Sequence, residues 1–317
     1  MSSPLRNGWL PRTRRILWPP AVVLLVLLFL GGPGYHSPRS ISAAWDLGHI
    51  LVFFVWSSLL LTGKPVRESP PARQWGIVIL FCLAAGVVTE GIQFVLGGDA
   101  SFRDLLRDAV GGVIALSWFP TSSNILSPGR KRTVRGVSVF LLLVACLPLA
   151  VAITDEGIAR AQFPLLSDFE TPFEKSRWEG DARASVDHSV ARHGDASLRV
   201  EMEPSLYSGV SLVYFPQNWA AYHSLRLEVF NPASEGIHIT CRIHDRQHEK
   251  GEQRYEDRFN RVFLLRPGWN DIRIDLIEAV NAPFRRKMDL GKIRVLRLFG
   301  TKLSAPRTIF VDYVRLE

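Results

Sequence analysis

The sequence predicts a two-domain protein, an α-helical transmembrane bundle of about five spans followed by an all-β jelly-roll sandwich. Three observations carry this reading. Long apolar runs are confined to the chain before Ile153, short alternating strands and turns fill the chain after Gln162, and basic residues in the first half gather between the apolar runs. At 317 residues with 47% hydrophobic and 21% charged, the average composition would suit a soluble protein and hides two unlike halves. The expected boundaries are a cytoplasmic N-terminus over 1–15, a transmembrane domain over 16–153, a connector over 154–162 and an extracytoplasmic β domain over 163–317.

Five apolar segments are expected to cross the membrane: Ile16 to Gly31, Trp45 to Leu61, Trp75 to Leu96, Asp104 to Phe119 and Val134 to Ile153. Each approaches the roughly 20 residues that cross a hydrocarbon core, the fourth being short and polar at its start, so four spans is the alternative count. The first reads as a retained anchor, because Trp18, Pro19 and Pro20 are foreign to a signal-peptide core and no small-x-small cleavage pattern follows. Lys and Arg collect on the cytoplasmic side. They gather at Arg6, Arg12, Arg14 and Arg15, at Lys64, Arg67 and Arg73, and at Arg130, Lys131, Arg132 and Arg135, which places the N-terminus inside and the C-terminal domain outside.

The net charge of +8 is no nucleic-acid footprint. From Phe163 onward 23 Lys and Arg face 22 Asp and Glu, so the excess belongs to the membrane half. The three cysteines, Cys82, Cys146 and Cys241, form no disulfide framework, and each is expected to be a small buried hydrophobe.

Ionisable residues within spans are costly and mark functional candidates. Asp46 and His49 are three apart in the second span, Glu90 and Gln93 three apart in the third, Asp104 and Asp108 four apart in the fourth. Each pair shares a helical face. With the second span entering from outside, the third leaving and the fourth re-entering, all six fall at the outer membrane face. Gly86, Gly111 and Gly112 would let these helices approach closely. A His among carboxylates holds the elements of a general acid/base site, or of a site for a hard, oxygen-preferring divalent ion. Interhelical hydrogen bonding is the alternative.

At these residues the chain resembles the VanZ-like membrane family. The matches are Asp46-Leu-Gly-His49 at the head of a span, Glu90-Gly-Ile-Gln93 at the end of the next, and Asp104 with Gly111 and Gly112 in the following one, within Trp45 to Phe119. The family pattern has an Arg before Ser101, where Gly98 and Asp99 stand, and an Asn where Asp108 stands. The family is named for low-level resistance to teicoplanin, a glycopeptide acting on cell-wall precursors at the outer face. The resemblance therefore implies cell-envelope biology and names no reaction.

Strands are predicted at Ser197 to Glu203, Gly209 to Tyr214, Ser224 to Phe230, Ile237 to Ile243, Arg261 to Leu265, Asn270 to Asp275, Lys292 to Phe299 and Thr308 to Leu316, with turns at Asn231-Pro232 and Pro267-Gly268. The run from Asp245 to Arg261 reads as a solvated loop laced with ion pairs. Sugar binding needs exposed aromatic faces beside polar groups. Trp178, Tyr207, Trp219, Tyr222 and Tyr255 are the aromatic candidates, with His244, Asp245 and Arg254 as polar partners; core packing is the competing role for each aromatic.

This half resembles the galactose-binding-like jelly rolls of carbohydrate-binding modules. The matches are Asp168-Phe169-Glu170, His193-Gly194 before Ser197-Leu198-Arg199-Val200, Pro267-Gly268-Trp269-Asn270, and Ile309-Phe310-Val311-Asp312. The resemblance implies a structural calcium held by Glu170 and Asp312.

The leading reading is a non-enzymatic envelope protein, in contact with the lipid bilayer and binding an envelope glycan or glycolipid. One alternative is a membrane enzyme acting on a lipid-linked glycan through Asp46, His49, Glu90 and Asp104. The other is a scaffold docking another envelope protein.

Overall fold

A computed structural model describes residues 9–30, 32–34, 37–96, 101–119 and 126–317. Two compact units result, Met1–Ala152 and Ile153–Glu317. Arg6, Gly31, Gly98 and Asp99, named above, lie outside the described residues.

The first unit is helical: α1 (Trp9–Phe29), α2 (Arg39–Thr62), α3 (Lys64–Arg67), α4 (Pro71–Val95), α5 (Phe102–Trp118) and α6 (Pro128–Gln162). Proline marks several starts, where its missing N–H costs nothing: Pro65 in α3, Pro71 in α4 and Pro128 in α6. Val52, Phe53, Leu61, Val78, Cys82, Ala115 and Leu116 form the buried core of this unit. Large apolar side chains such as Leu80, Val87 and Phe94 on α4, and Phe140, Leu143 and Leu147 on α6, point outward. That pattern is suited to lipid and unfavourable in water.

Three of these helices, α2, α4 and α6, are long and apolar enough to cross a membrane. Among the described residues, the other two expected spans, α1 and α5, do not meet that length and composition. Helix α1 carries Arg12, Arg14 and Arg15 in its first turns. Helix α5 has only 17 residues and begins with Arg103, Asp104, Arg107 and Asp108.

The connector expected over 154–162 is also corrected: α6 continues to Gln162. Nothing in that stretch breaks a helix until Phe163, whose following Pro164 disfavours helical backbone. Residues 153–162 belong to the second unit. Asp155, near the end of α6, makes a buried ion pair with Arg177 there, Oδ1 to Nη2 at 2.8 Å.

The second unit is an antiparallel β-sandwich. Its strands are β1 (Leu165–Ser167), β2 (Trp178–Gly180), β3 (Arg183–Asp187), β4 (Ser197–Met202), β5 (Tyr207–Leu212), β6 (Ser224–Asn231), β7 (Ile237–Asp245), β8 (Phe259–Leu265), β9 (Gly268–Asp275), β10 (Ile293–Thr301) and β11 (Arg307–Leu316). One sheet runs β3-β4-β11-β6-β9, with β1 also on β11; the other runs β2-β5-β10-β7-β8. The eight predicted strands are all present. The three missed, β1 to β3, are only three to five residues long.

Alternation explains the packing. Ile237, Ile239, Cys241 and Ile243 of β7 face Leu198, Val200, Leu225, Leu227, Ile309 and Val311 across a single core. Burial pushes the Cys241 thiol up to about 12, consistent with an inert core residue. The 245–261 run is not a plain solvated loop. It contains α7 (Arg246–Lys250) and a turn at Tyr255–Asp257, and it buries Asp245 and His248 completely. A last helix, α8 (Leu276–Asn281), follows β9.

Candidate functional site

In the helical unit, the polar residues of α2, α4 and α5 converge. Gly111 permits this: a Cβ there would lie 2.5 Å from the Ile50 carbonyl oxygen, so α5 meets the α2 backbone directly. Gly86 does the same for α4, since its Cβ would fall 2.7 Å from Asp108 Oδ2.

His49 Nδ1 and Asp108 Oδ1 are 3.0 Å apart and both residues are buried. With Asp108 ionised the carboxylate only accepts, so Nδ1 donates, and a neutral His49 then keeps its lone pair on Nε2. Glu90 Oε2 accepts from the Ser101 N–H at 2.6 Å. Among the described residues, two buried oxygens, Glu90 Oε1 and Asp108 Oδ2, have no hydrogen-bond partner. His49, Glu90 and Asp104 each offer one ligating atom, all within 4.8 Å of one another. A nitrogen and two carboxylates, with Asp108 orienting the imidazole, make a chemically reasonable divalent-metal set or a proton-transfer site.

Arg107, not among the sequence candidates, belongs to this cluster. Its guanidinium pairs with Asp46 at 2.8 Å and with Asp104. The legible signal is its position three residues after Asp104 on one helical face. Gln93 leaves the cluster: its Nε2 donates to the Leu28 carbonyl at 3.0 Å and ties α4 to α1.

In the sandwich, the aromatic candidates separate. Trp219 is 0% exposed and its Nε1 donates to the Pro216 carbonyl; Trp178 is equally a core residue, bonded to Ser167 Oγ. Tyr222 is half-buried, edge-on to Phe163. These three fill the interior, as large aromatics in sandwiches commonly do, and are corrected as stacking platforms. Tyr207 and Tyr255 are 54% and 68% exposed.

The polar candidates are likewise sorted. Asp245 is buried, receives Arg286 at 2.6 and 2.9 Å, and accepts from the His248 N–H, capping α7. Burial alone would raise its pKa, but Arg286 and the N–H donors hold it below the usual carboxylate range. It is structural and not available to a sugar. His244 is buried and accepts from Arg242 Nε through Nδ1 at 3.2 Å. Arg254 is exposed and pairs with Glu252.

The outer face of the β2-β5-β10-β7-β8 sheet carries the polar phase of the alternation. In register, Arg297 lies between Ser211 and Arg242, and Phe299 between Gly209 and Thr240. Tyr207 packs edge-on to Phe299 at 5.9 Å.

Glu170 and Asp312, far apart in sequence, grip the same loop. Glu170 Oε1 accepts from the N–H groups of Asp195 and Ala196, and Asp312 Oδ2 from those of Arg192 and His193. Gly194, at φ +64°, leaves no room for a Cβ against Glu170. Asp312 Oδ1 is buried without a partner, and burial raises this carboxylate's pKa. The orphaned anionic oxygen is one donor of the kind a hard cation such as calcium takes, and Glu170 contacts the same loop.

No known family's model matches the sequence, and no curated protein matches it. Among solved structures, an exo-β-agarase is similar with a TM-score of 0.40 at 16% identity, over 48% of this chain and 25% of that one. The chain thus spans only about a quarter of the agarase's length. The family 11 carbohydrate-binding module from Clostridium thermocellum, in complex with a β-1,3-1,4-mixed-linked tetrasaccharide, gives 0.38 at 14% identity over 48% of this chain and 93% of the module. The family 30 module of a cellulosomal cellulase of Clostridium thermocellum gives 0.34 at 14% identity, over 44% and 91%.

Proposed function

We propose that this is a VanZ-like integral membrane protein of the cell envelope, whose C-terminal sandwich binds an envelope glycan or glycolipid outside the cytoplasm. The observation that carries the glycan reading is the outer face of the β2-β5-β10-β7-β8 sheet. There, exposed Tyr207 stands in line with polar side chains from neighbouring strands. Aromatic faces with flanking hydrogen-bonding groups are what sugar rings require.

The placement rests on charge. The basic groups at 64–73 and 130–135 can share the cytoplasmic side only if both α4 and α5 cross, and the arginines at 12–15 join them only if α1 and α2 cross. On this charge pattern all five helices α1, α2, α4, α5 and α6 cross, with the sandwich outside. In the sandwich, Glu170 and Asp312 would hold calcium, which would neutralise buried Asp312 and fix the 192–196 loop.

The test is binding of the full chain, in a detergent without sugar headgroups, to an array of envelope glycans with and without calcium. Specific binding that Tyr207→Ala weakens by roughly tenfold supports the reading, given about 0.5–1.5 kcal/mol for an aromatic contact beyond its buried area. Absence of glycan binding alongside co-purification of one envelope protein favours a docking scaffold.

The His49–Asp108 pair with the orphaned Glu90 oxygen favours a second reading, an enzyme acting on a lipid-linked glycan. Under it, His49→Ala and Glu90→Gln abolish a change in glycopeptide susceptibility while glycan binding by the sandwich persists.

A further inference from the structure

The two outer faces of the sandwich treat arginine differently. On the β3-β4-β11-β6-β9 sheet, arginines have carboxylate partners: Arg199 with Glu201 at 2.8 Å, Arg226 with Glu317 at 2.9 Å, Arg315 with Glu317 at 3.0 Å and Arg273 with Asp275 at 3.4 Å. On the other sheet Arg294 pairs with Glu249 at 3.1 Å and Arg261 with Glu278 at 2.8 Å, but the balance fails around the β7–β10 register. Arg242 and Arg297 are directly opposed in the β7–β10 register, a pairing of like charges that destabilises a sheet. Arg297 reaches Asp181 at 3.1 Å, a half-exposed carboxylate in the turn after β2. Among the described residues, Arg242 and Arg258 have no carboxylate within ion-pair distance.

Their remaining contacts are neutral. Arg242 donates to His244 and lies 3.4 Å from His248 Nε2. Arg258 stacks 5.4 Å over the Tyr255 ring, Arg297 5.3 Å over Phe299. Among the described residues the Nε atoms of Arg258 and Arg297 are buried without a hydrogen-bond partner, as are those of Arg199 and Arg226 on the opposite sheet, where carboxylates lie within ion-pair distance. Burial, reinforced by the charges of Arg258 and Arg297, pushes Arg242 down to about 10, still protonated at neutral pH. Such crowding of cations, planar donors and aromatic faces is costly alone and complementary to an anion.

We infer that the outer face of the β2-β5-β10-β7-β8 sheet binds an anionic saccharide, bearing carboxylate, sulfate or phosphate groups, through Arg242, Arg258 and Arg297. The inference rests on the glycan-binding reading and narrows it. The arginines form bidentate hydrogen bonds to the anionic substituents, and Tyr207 and Tyr255 flank the sugar rings.

The test is calorimetric titration of the full chain, in a neutral non-glycosidic detergent, with oligogalacturonate, a sulfated galactan, a neutral galactan and cellohexaose. Each is repeated with Arg242→Gln, Arg258→Gln, Arg258→Lys and the opposite-face control Arg199→Gln. The expected result is binding of an anionic glycan that weakens with added salt, drops roughly tenfold or more in either Gln variant, and is unchanged in the control. Arg258→Lys, which keeps the charge and packs similarly, is expected to recover part of the loss and to show the wild-type melting temperature.

Equal binding of a neutral glycan, insensitive to the arginine variants, overturns the anionic inference and leaves the glycan reading standing. Binding of no glycan at all overturns both. Binding of anionic lipid vesicles or nucleic acid in place of the anionic glycans also overturns it, by assigning the face to a different anion.

Discussion

Arg177 carries a guanidinium into the sandwich interior, where it is 0% exposed and is answered by Asp155 at 2.8 and 2.9 Å and by the Leu166 carbonyl. Removing one partner of such a pair strands a buried charge. Asp155→Ala is therefore expected to destabilise the sandwich by roughly 3–5 kcal/mol, read from denaturant unfolding in detergent. Arg286 offers a pH-dependent counterpart. It pairs with Asp245 and Asp257, and its charge and hydrogen bonds hold both carboxyls below their usual range. Carboxyls depressed on folding contribute stability that is complete above the unfolded value of about 3.9 and is lost as pH falls through the lower folded value. The melting temperature of the sandwich should thus decline below about pH 4, and Arg286→Gln should lower it at neutral pH while flattening that decline. An unchanged acid limb in the variant would contradict the assignment.

The contact between α2 and α5 is built on Gly111, whose missing side chain admits the Ile50 carbonyl. Any Cβ there meets backbone, not a flexible side-chain end, so the helices must separate. Gly111→Val is expected to abolish the detergent-stable fold of the helical unit and separate His49 from Asp108, with loss of a sharp monodisperse elution as the readout. Gly48, on the same α2 helix as His49, has open space around its Cβ position, and Gly48→Ala should be tolerated. If both variants behave alike, close approach at Gly111 is not what assembles the cluster. The β strands follow a similar logic at element scale: β7 alternates core Ile237, Ile239, Cys241 and Ile243 with outward His238, Thr240, Arg242 and His244, so one period sets both the core and the candidate binding face.

For the whole molecule, the arrangement of basic segments sets an expected topology. Alkaline phosphatase fused after Glu317 should be active, and fused within the 64–73 segment inactive, with the reverse for a cytoplasmic fluorescent reporter. An active phosphatase at both positions would require an even number of crossings between them, so one of α4, α5 and α6 would not cross. That result would contradict the charge-based count of crossings while still placing the sandwich outside; an inactive fusion after Glu317 would overturn the extracytoplasmic assignment.

The division into apolar helices and alternating strands was legible in the sequence, because both are periodic and local: a span needs only an uninterrupted apolar run, and a strand only alternation. The eight longer strands and the helical pairs Asp46 with His49 and Asp104 with Asp108 belong to this class. Tertiary structure decided what periodicity cannot express. It drew Arg107 into the polar cluster, sent Gln93 to the Leu28 carbonyl, buried Trp178 and Trp219, and set Arg242 against Arg297 with no carboxylate among the described residues to balance Arg242. It also made 154–162 helical and anchored it through Asp155, whose partner lies 22 residues away. The physical reason is common to all of these. Pairing and burial depend on which elements pack together across long sequence separations, whereas sequence pattern reports only which face of each element a side chain occupies.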